Sequence, residues 1–251
     1  MRPKPDATIS DLPLGPDVRL LSHDASGLVA LDKPAGVLSH PNRISDQPRS
    51  VLDASYDLEQ QVFVWRDERK APRKLWLLNR LDGATSGVIL LAAGEELAKA
   101  IRALYAHRRV RKVYVALVHG KPAEKRAHWR DILAVEKSGG QVRTRATAGH
   151  IPAETVVQFL QNFPGAMPTS LIRLEPHTGR SHQLRVQCAK RHLPIVGDQT
   201  YGDFARNRAF TKATGQKRLY LHSLETEFTY EFGGRTHHFH ASAPLPPEFP
   251  R

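Results

Sequence analysis

Short apolar runs broken by glycine, proline and polar turns constrain this chain more than any other feature. Near the C-terminus Phe228, Tyr230 and Phe232 alternate with Glu227, Thr229 and Glu231, and Gly233-Gly234 then turns the chain into a last strand. Alternation with period two belongs to an antiparallel sheet with one solvated face. Earlier, residues 27–31 (GLVAL) suit a strand buried on both faces, ended by Lys33-Pro34-Ala35-Gly36. Leu75–Leu81 and Val88–Leu91 are strand-like runs on either side of a polar stretch. Val113–Val118 puts Val113, Val115 and Leu117 on one face and Tyr114 on the other. Asp131–Thr147 reads as a basic hairpin turning at Gly139-Gly140, followed by strands at Thr155–Leu160 and Ser170–Leu174. Helical spacing is confined to Gly94–His107, with Leu97, Ile101 and Leu104 on one stripe and Glu95 and Glu96 in the first turn, and to Ser181–His192. Strands outnumber helices without regular alternation, which predicts an α+β fold in one continuous domain behind an extended, proline-rich arm at residues 1–17.

The partner is written in the charge. Lysine and arginine number 37 against 25 acidic residues, a formal net charge of +12. Such an excess favours a polyanion, because each neutralised phosphate releases counterions. The cations are clustered: residues 107–112 read HRRVRK, positions 121, 125, 126, 130, 137, 143 and 145 are all Lys or Arg, and residues 206–218 hold five cations and no acid. Three basic segments predict a track for a nucleic-acid backbone. No apolar run approaches the roughly 18 residues of a membrane span, Val88–Ala93 being typical, so no membrane partner is expected. Residues 1–20 carry no signal-peptide pattern. The single cysteine, Cys188, excludes an internal disulfide and any zinc site using two or more thiolates. A cytoplasmic location is therefore expected.

Several chemistries lack their motifs. There is no G-x-G-x-x-G, no P-loop and no H-E-x-x-H. His237, His238 and His240 invite a metal, but strand alternation sends His237 and His240 to opposite faces. Residues 83–87 (GATSG) mimic a nucleophile elbow centred on Thr85, yet apolar VILLA follows where a helix should begin, so a hydrolase reading is weak.

Five polar elements remain: Lys33–Gly36, Arg80–Gly87 (RLDGATSG), Lys112–Tyr114 (KVY), Thr178–Arg185 (TGRSHQLR) and Gly197–Gly202 (GDQTYG). In this order they resemble the lysine-proline-x-glycine, R-L-D-x-x-T-S-G, K-x-Y, T-G-R-[ST]-H-Q-[IL]-R and G-D-x-x-Y-G elements of the pseudouridine synthases. The match is closest to the branch typified by the ribosomal large-subunit synthase A (RluA-like), and it spans residues 27–224.

The resemblance implies isomerisation of uridine within RNA by a catalytic domain over residues 18–251, on a mostly antiparallel, mixed β-sheet flanked by helices and basic loops. It implies Asp82 as the catalytic carboxylate, Arg185 as its ion-pair partner and Tyr114 as the aromatic against the target base. Arg80 would enter the RNA stack as the uridine leaves, and Leu184 would pack beneath the base; Thr85, Arg180 and His182 complete the expected RNA-binding set. A carboxylate acts as nucleophile, or as base at the ribose, only if ionised, and a nearby guanidinium favours that form. Flipping the nucleotide costs a few kcal/mol, offset by stacking and a replacement side chain. The isomerisation involves no redox change, so neither cofactor nor metal is expected. The RNA is ribosomal or transfer RNA, and the protein is taken as a monomer. The chain departs from the family at Asn79 and Gln187, where histidine is frequent, and these changes are expected to bear on RNA contacts. The 26 residues before Gly27 are too few for an S4-type RNA-binding domain. A non-catalytic RNA-binding factor that keeps the fold is the alternative.

Overall fold

The structure, a computed structural model, describes residues 12–138, 141–145, 150–165 and 167–250. Two compact units emerge, one from the chain up to Val110 plus Glu225–Ala243, the other from Arg111–Leu224 plus Pro244–Arg251.

The first unit contains β1 (Arg19–His23), β2 (Leu28–Lys33), β3 (Ser55–Asp57), β4 (Val62–Arg66), β5 (Pro72–Leu77), β6 (Ser86–Ala92) and helix α1 (Glu95–Ala106). Their order is β3-β4-β5-β6, with β2 antiparallel to both β6 and β1. Five of the six residues of β2 are buried, as its apolar run requires, and its ladder partner β6 is buried throughout. On α1, Leu97, Ala98 and Ile101 are buried and Leu104 packs at the margin. The strand expected at Leu75–Leu81 begins and ends earlier. The Leu78 amide still donates to the Leu90 carbonyl (2.9 Å), but the Leu90 amide then donates to the Asn79 side-chain oxygen (2.8 Å). A side chain replaces the main chain there, and the backbone peels away into the polar loop.

The second unit contains β7 (Arg111–His119), β8 (Arg126–Ser138), β9 (Gln141–Arg145), β10 (Ile151–Phe163), β11 (Thr169–Pro176), α2 (Gln183–Lys190) and α3 (Phe204–Thr214). The order is β7-β11-β10-β8-β9, each pairing antiparallel. The turn at Gly139-Gly140 lies outside the described residues. β7 is covered on both faces beyond Tyr114, with Ala116 and Val118 as hidden as Val115 and Leu117, where one buried face was expected. The α3 helix was not legible, since cations dominate it; Asp203 caps it by accepting from the Arg206 amide (3.0 Å). β12 (Leu221–Phe232) starts in the second unit and ends in the first, where β13 (Arg235–Ser242) pairs with it antiparallel. His237 stacks on Tyr230 while His238 and His240 are exposed, the face split expected.

The sheet is mixed and mostly antiparallel, flanked by few helices. Residues 12–15 do not float: Leu14 bridges to Leu52, and the Gly15 amide donates to the Val51 carbonyl (3.0 Å). Among the described residues no helix is long and apolar enough to cross a membrane.

Candidate active site

In the first unit, Asp82 lies in the loop between β5 and β6, and that loop is clamped from β2. Lys33 ends β2 with its side chain wholly buried. Its ammonium donates to the carbonyls of Pro34 (3.0 Å), Val37 (2.6 Å) and Gly83 (3.1 Å). The Gly36 amide donates to the same Gly83 oxygen (2.8 Å), from a turn whose φ of +94° suits glycine. Ser39 grips the residue before Asp82 from both sides, its hydroxyl donating to the Leu81 carbonyl (2.8 Å) and accepting from the Leu81 amide (2.9 Å). The Thr85 amide closes the loop on the Asp82 carbonyl (2.9 Å). The backbone around Asp82 is thus fixed, while Asp82 is half-buried and Arg80 exposed. Thr85 is buried and followed by strand β6, so no nucleophile elbow forms. Near Arg80, His40 stacks on Tyr56 (centroids 4.8 Å apart), and burial pushes the Tyr56 hydroxyl up to about 12 against the pull of Arg102 and Arg80.

In the second unit, Thr178–Arg185 folds around one buried glutamine. The Gln183 side-chain oxygen accepts from the Thr178 hydroxyl (2.7 Å) and the Arg180 amide (3.1 Å), and its amide group donates to the Glu154 carbonyl and the Thr155 hydroxyl (3.1 Å each). His182 takes a left-handed φ of 55°, so α2 starts at Gln183 rather than Ser181, and its Nδ1 meets the Tyr201 hydroxyl at 2.9 Å. Arg180 is exposed, Tyr114 is half-buried, and Leu184 is buried in the core with Val115 and Leu174.

Arg185 is buried and forks onto Asp198: Nε to Oδ2 and Nη2 to Oδ1, both 2.8 Å. Burial would raise the Asp198 carboxyl, but Arg185 and the Tyr201 and Thr200 amides outweigh it and hold the group below the usual carboxylate range. Tyr201 lies under the guanidinium at 5.1 Å. The preceding Gly197 has φ +78°, and a Cβ there would fall 1.7 Å from the Arg218 carbonyl oxygen, so the turn admits only glycine. Asp198 was not singled out by residue reading, although it stood within the G-D-x-x-Y-G element.

Lys112 is half-buried and pushed down to about 8 by desolvation, with its ammonium donating to the Thr178 carbonyl (3.4 Å). The two departures from the family use their polar atoms internally. Asn79 ends the β5 ladder as described above. Gln187 is wholly buried, accepting from the Thr155 hydroxyl (2.6 Å) and donating to Asp131 (2.9 Å).

Similarity to known proteins defines the class first: this is an isomerase that acts on RNA. The chain belongs to the RNA pseudouridylate synthase family, whose model matches residues 27–190, and to its RluA-like branch. It is 34% identical over 214 residues to the tRNA pseudouridine synthase C of Pasteurella multocida (strain Pm70), covering 81% of this chain and 82% of that one. The protein of the same name from Haemophilus ducreyi (strain 35000HP / ATCC 700724) is 33% identical over 215 residues, with 81% and 82% covered. In fold it is similar to human RNA pseudouridylate synthase domain containing 1, with TM-score 0.67 and 21% identity over 92% of this chain and 85% of that one. The fold class and the RNA-isomerase activity expected from the sequence are borne out.

Proposed function

We propose that this synthase converts a specific uridine of a transfer RNA to pseudouridine, with Asp82 as catalytic carboxylate, Arg185 as its ion-pair partner and Tyr114 against the target base. Arg80 takes the vacated place in the stack, and Leu184, Thr85, Arg180 and His182 shape the surroundings of the base and backbone. The observation that carries this reading is the clamp on the Asp82 loop: the backbone on both sides is bonded to Lys33, Gly36 and Ser39, while the carboxylate remains half-exposed. A fixed carboxylate beside an exposed arginine suits attack on an extruded nucleotide, because reaction at a preset geometry avoids reorganisation. Transfer RNA is favoured over ribosomal RNA by the names of relatives that match four-fifths of the chain. The lone, buried Cys188 is in keeping with the reducing cytoplasm, and residues 18–251 act as one catalytic domain, as a monomer and without a cofactor.

The test is conversion of unmodified transcripts. With tritium at uridine C5, wild type releases label from a transfer RNA pool and Asp82→Asn releases none, while RNA affinity stays within about tenfold because phosphate contacts dominate binding. Release from ribosomal RNA alone refutes the substrate; turnover by the Asp82→Asn variant removes Asp82 from the mechanism.

A further inference from the structure

On the second unit's sheet, beside the start of the Thr178–Arg185 element, three metal-ligating side chains converge. His128 on β8, Glu154 on β10 and His177, the first residue after β11, each bring one donor atom to within 4.8 Å of the others. The register explains the convergence. His128 faces Val156 across the β8–β10 ladder, so Glu154, two residues along, is its diagonal neighbour on the same face. The His177 amide donates to the Glu154 carbonyl (2.9 Å), which brings its ring over the same spot. The two imidazoles lie 5.8 Å apart, and His128 Nε2 is 3.6 Å from a Glu154 carboxylate oxygen. The neighbouring Glu175 is engaged by Arg173 and Arg111, so it is not a fourth ligand.

We propose that His128, Glu154 and His177 form a surface site for a zinc-class divalent ion that ties the Thr178–Gln183 turn to β10. Two imidazoles and one carboxylate are a donor set that zinc takes in tetrahedral geometry, with water in the fourth position. Ligand bonds of about 2.0–2.2 Å require the donors to close to roughly 3.3 Å, within reach of the exposed His128 and His177 and the half-buried Glu154. The ion's consequence follows from what Glu154 already holds. Its amide donates to the Thr178 hydroxyl (2.9 Å) and its carbonyl accepts from Gln183 (3.1 Å). An ion bridging the side chains of Glu154 and His177 therefore fixes the turn at both backbone and side chain. It takes no part in the isomerisation, and the proposal is independent of which RNA is modified.

The experiment titrates the full-length protein with zinc chloride against a chromophoric chelator, in wild type, His128→Ala, His177→Ala, Glu154→Gln and the double variant His238→Ala/His240→Ala. One equivalent bound with micromolar or tighter affinity is expected, weakened at least tenfold by each of the first three changes and untouched by the double variant. Cobalt in place of zinc is expected to give the intense visible bands of a tetrahedral site. Hydrogen exchange at residues 177–183 is expected to slow with zinc in wild type and not in His177→Ala. Melting in EDTA at the wild-type temperature shows that each variant is folded. Unchanged binding in the two single histidine variants, loss in the double variant, or no binding below 1 mM overturns the site; unaltered exchange with zinc bound overturns its hold on the turn.

Discussion

Replacing Lys33 by methionine separates stability from the positioning of the Asp82 loop. Lys33 is wholly buried and donates to three carbonyls at 3.0, 2.6 and 3.1 Å. Hydrogen bonds from a charged donor contribute about 1.5–3 kcal/mol each, roughly 5–9 kcal/mol for three. Burying the ammonium opposes them by several kcal/mol, which methionine avoids at similar volume. The expected net loss is about 2–4 kcal/mol, within the stability of an ordinary domain, so the variant folds. Gly83 keeps its bond from the Gly36 amide, so the loop shifts rather than unravels. A shift of about 1 Å at a reacting group lowers the rate about 10²-fold. Urea denaturation reads the first effect as a lower midpoint; single-turnover conversion at saturating RNA reads the second. RNA affinity should change less than about threefold, since phosphate contacts dominate it. A folded Lys33→Met variant that converts RNA within threefold of the wild-type rate refutes the clamp.

Asp198→Ala removes both bonds of the fork from the buried Arg185 guanidinium, and breaking a buried ion pair destabilises by up to about 3–5 kcal/mol, so a loss below about 1 kcal/mol by urea denaturation argues against the fork as a structural anchor. Because the folded Asp198 carboxyl sits below its ordinary value, its contribution is present above about pH 4 and is lost as pH falls through the lower folded value; the variant's stability should decline less steeply on the acid side. Lys112 titrates the other way. Its folded value of about 8 lies below the ordinary 10.5, so the unfolded chain binds the proton more tightly and stability rises between about pH 8 and 10.5. Wild type should gain stability relative to Lys112→Met between pH 7 and 9.5, and parallel curves for the two proteins contradict the burial of that charge.

Local rules carried the sequence a long way: the run at residues 27–31 became the covered strand β2, the stripe of Leu97 and Ile101 became α1, and the alternation from Glu227 became the β12–β13 hairpin. Ordered motifs likewise marked the candidate residues, because the chemistry demands those side chains whatever holds them. What the sequence left hidden is whatever depends on a distant partner. That Lys33 bonds to Gly83 fifty residues away, that Asp198 holds Arg185, that Gln187 turns inward to Asp131, and that His128, Glu154 and His177 meet at one point all follow from how distant segments pack and pair. Periodicity reports which face a residue takes along its own strand; only hydrogen-bonded pairing between strands decides which residue stands opposite.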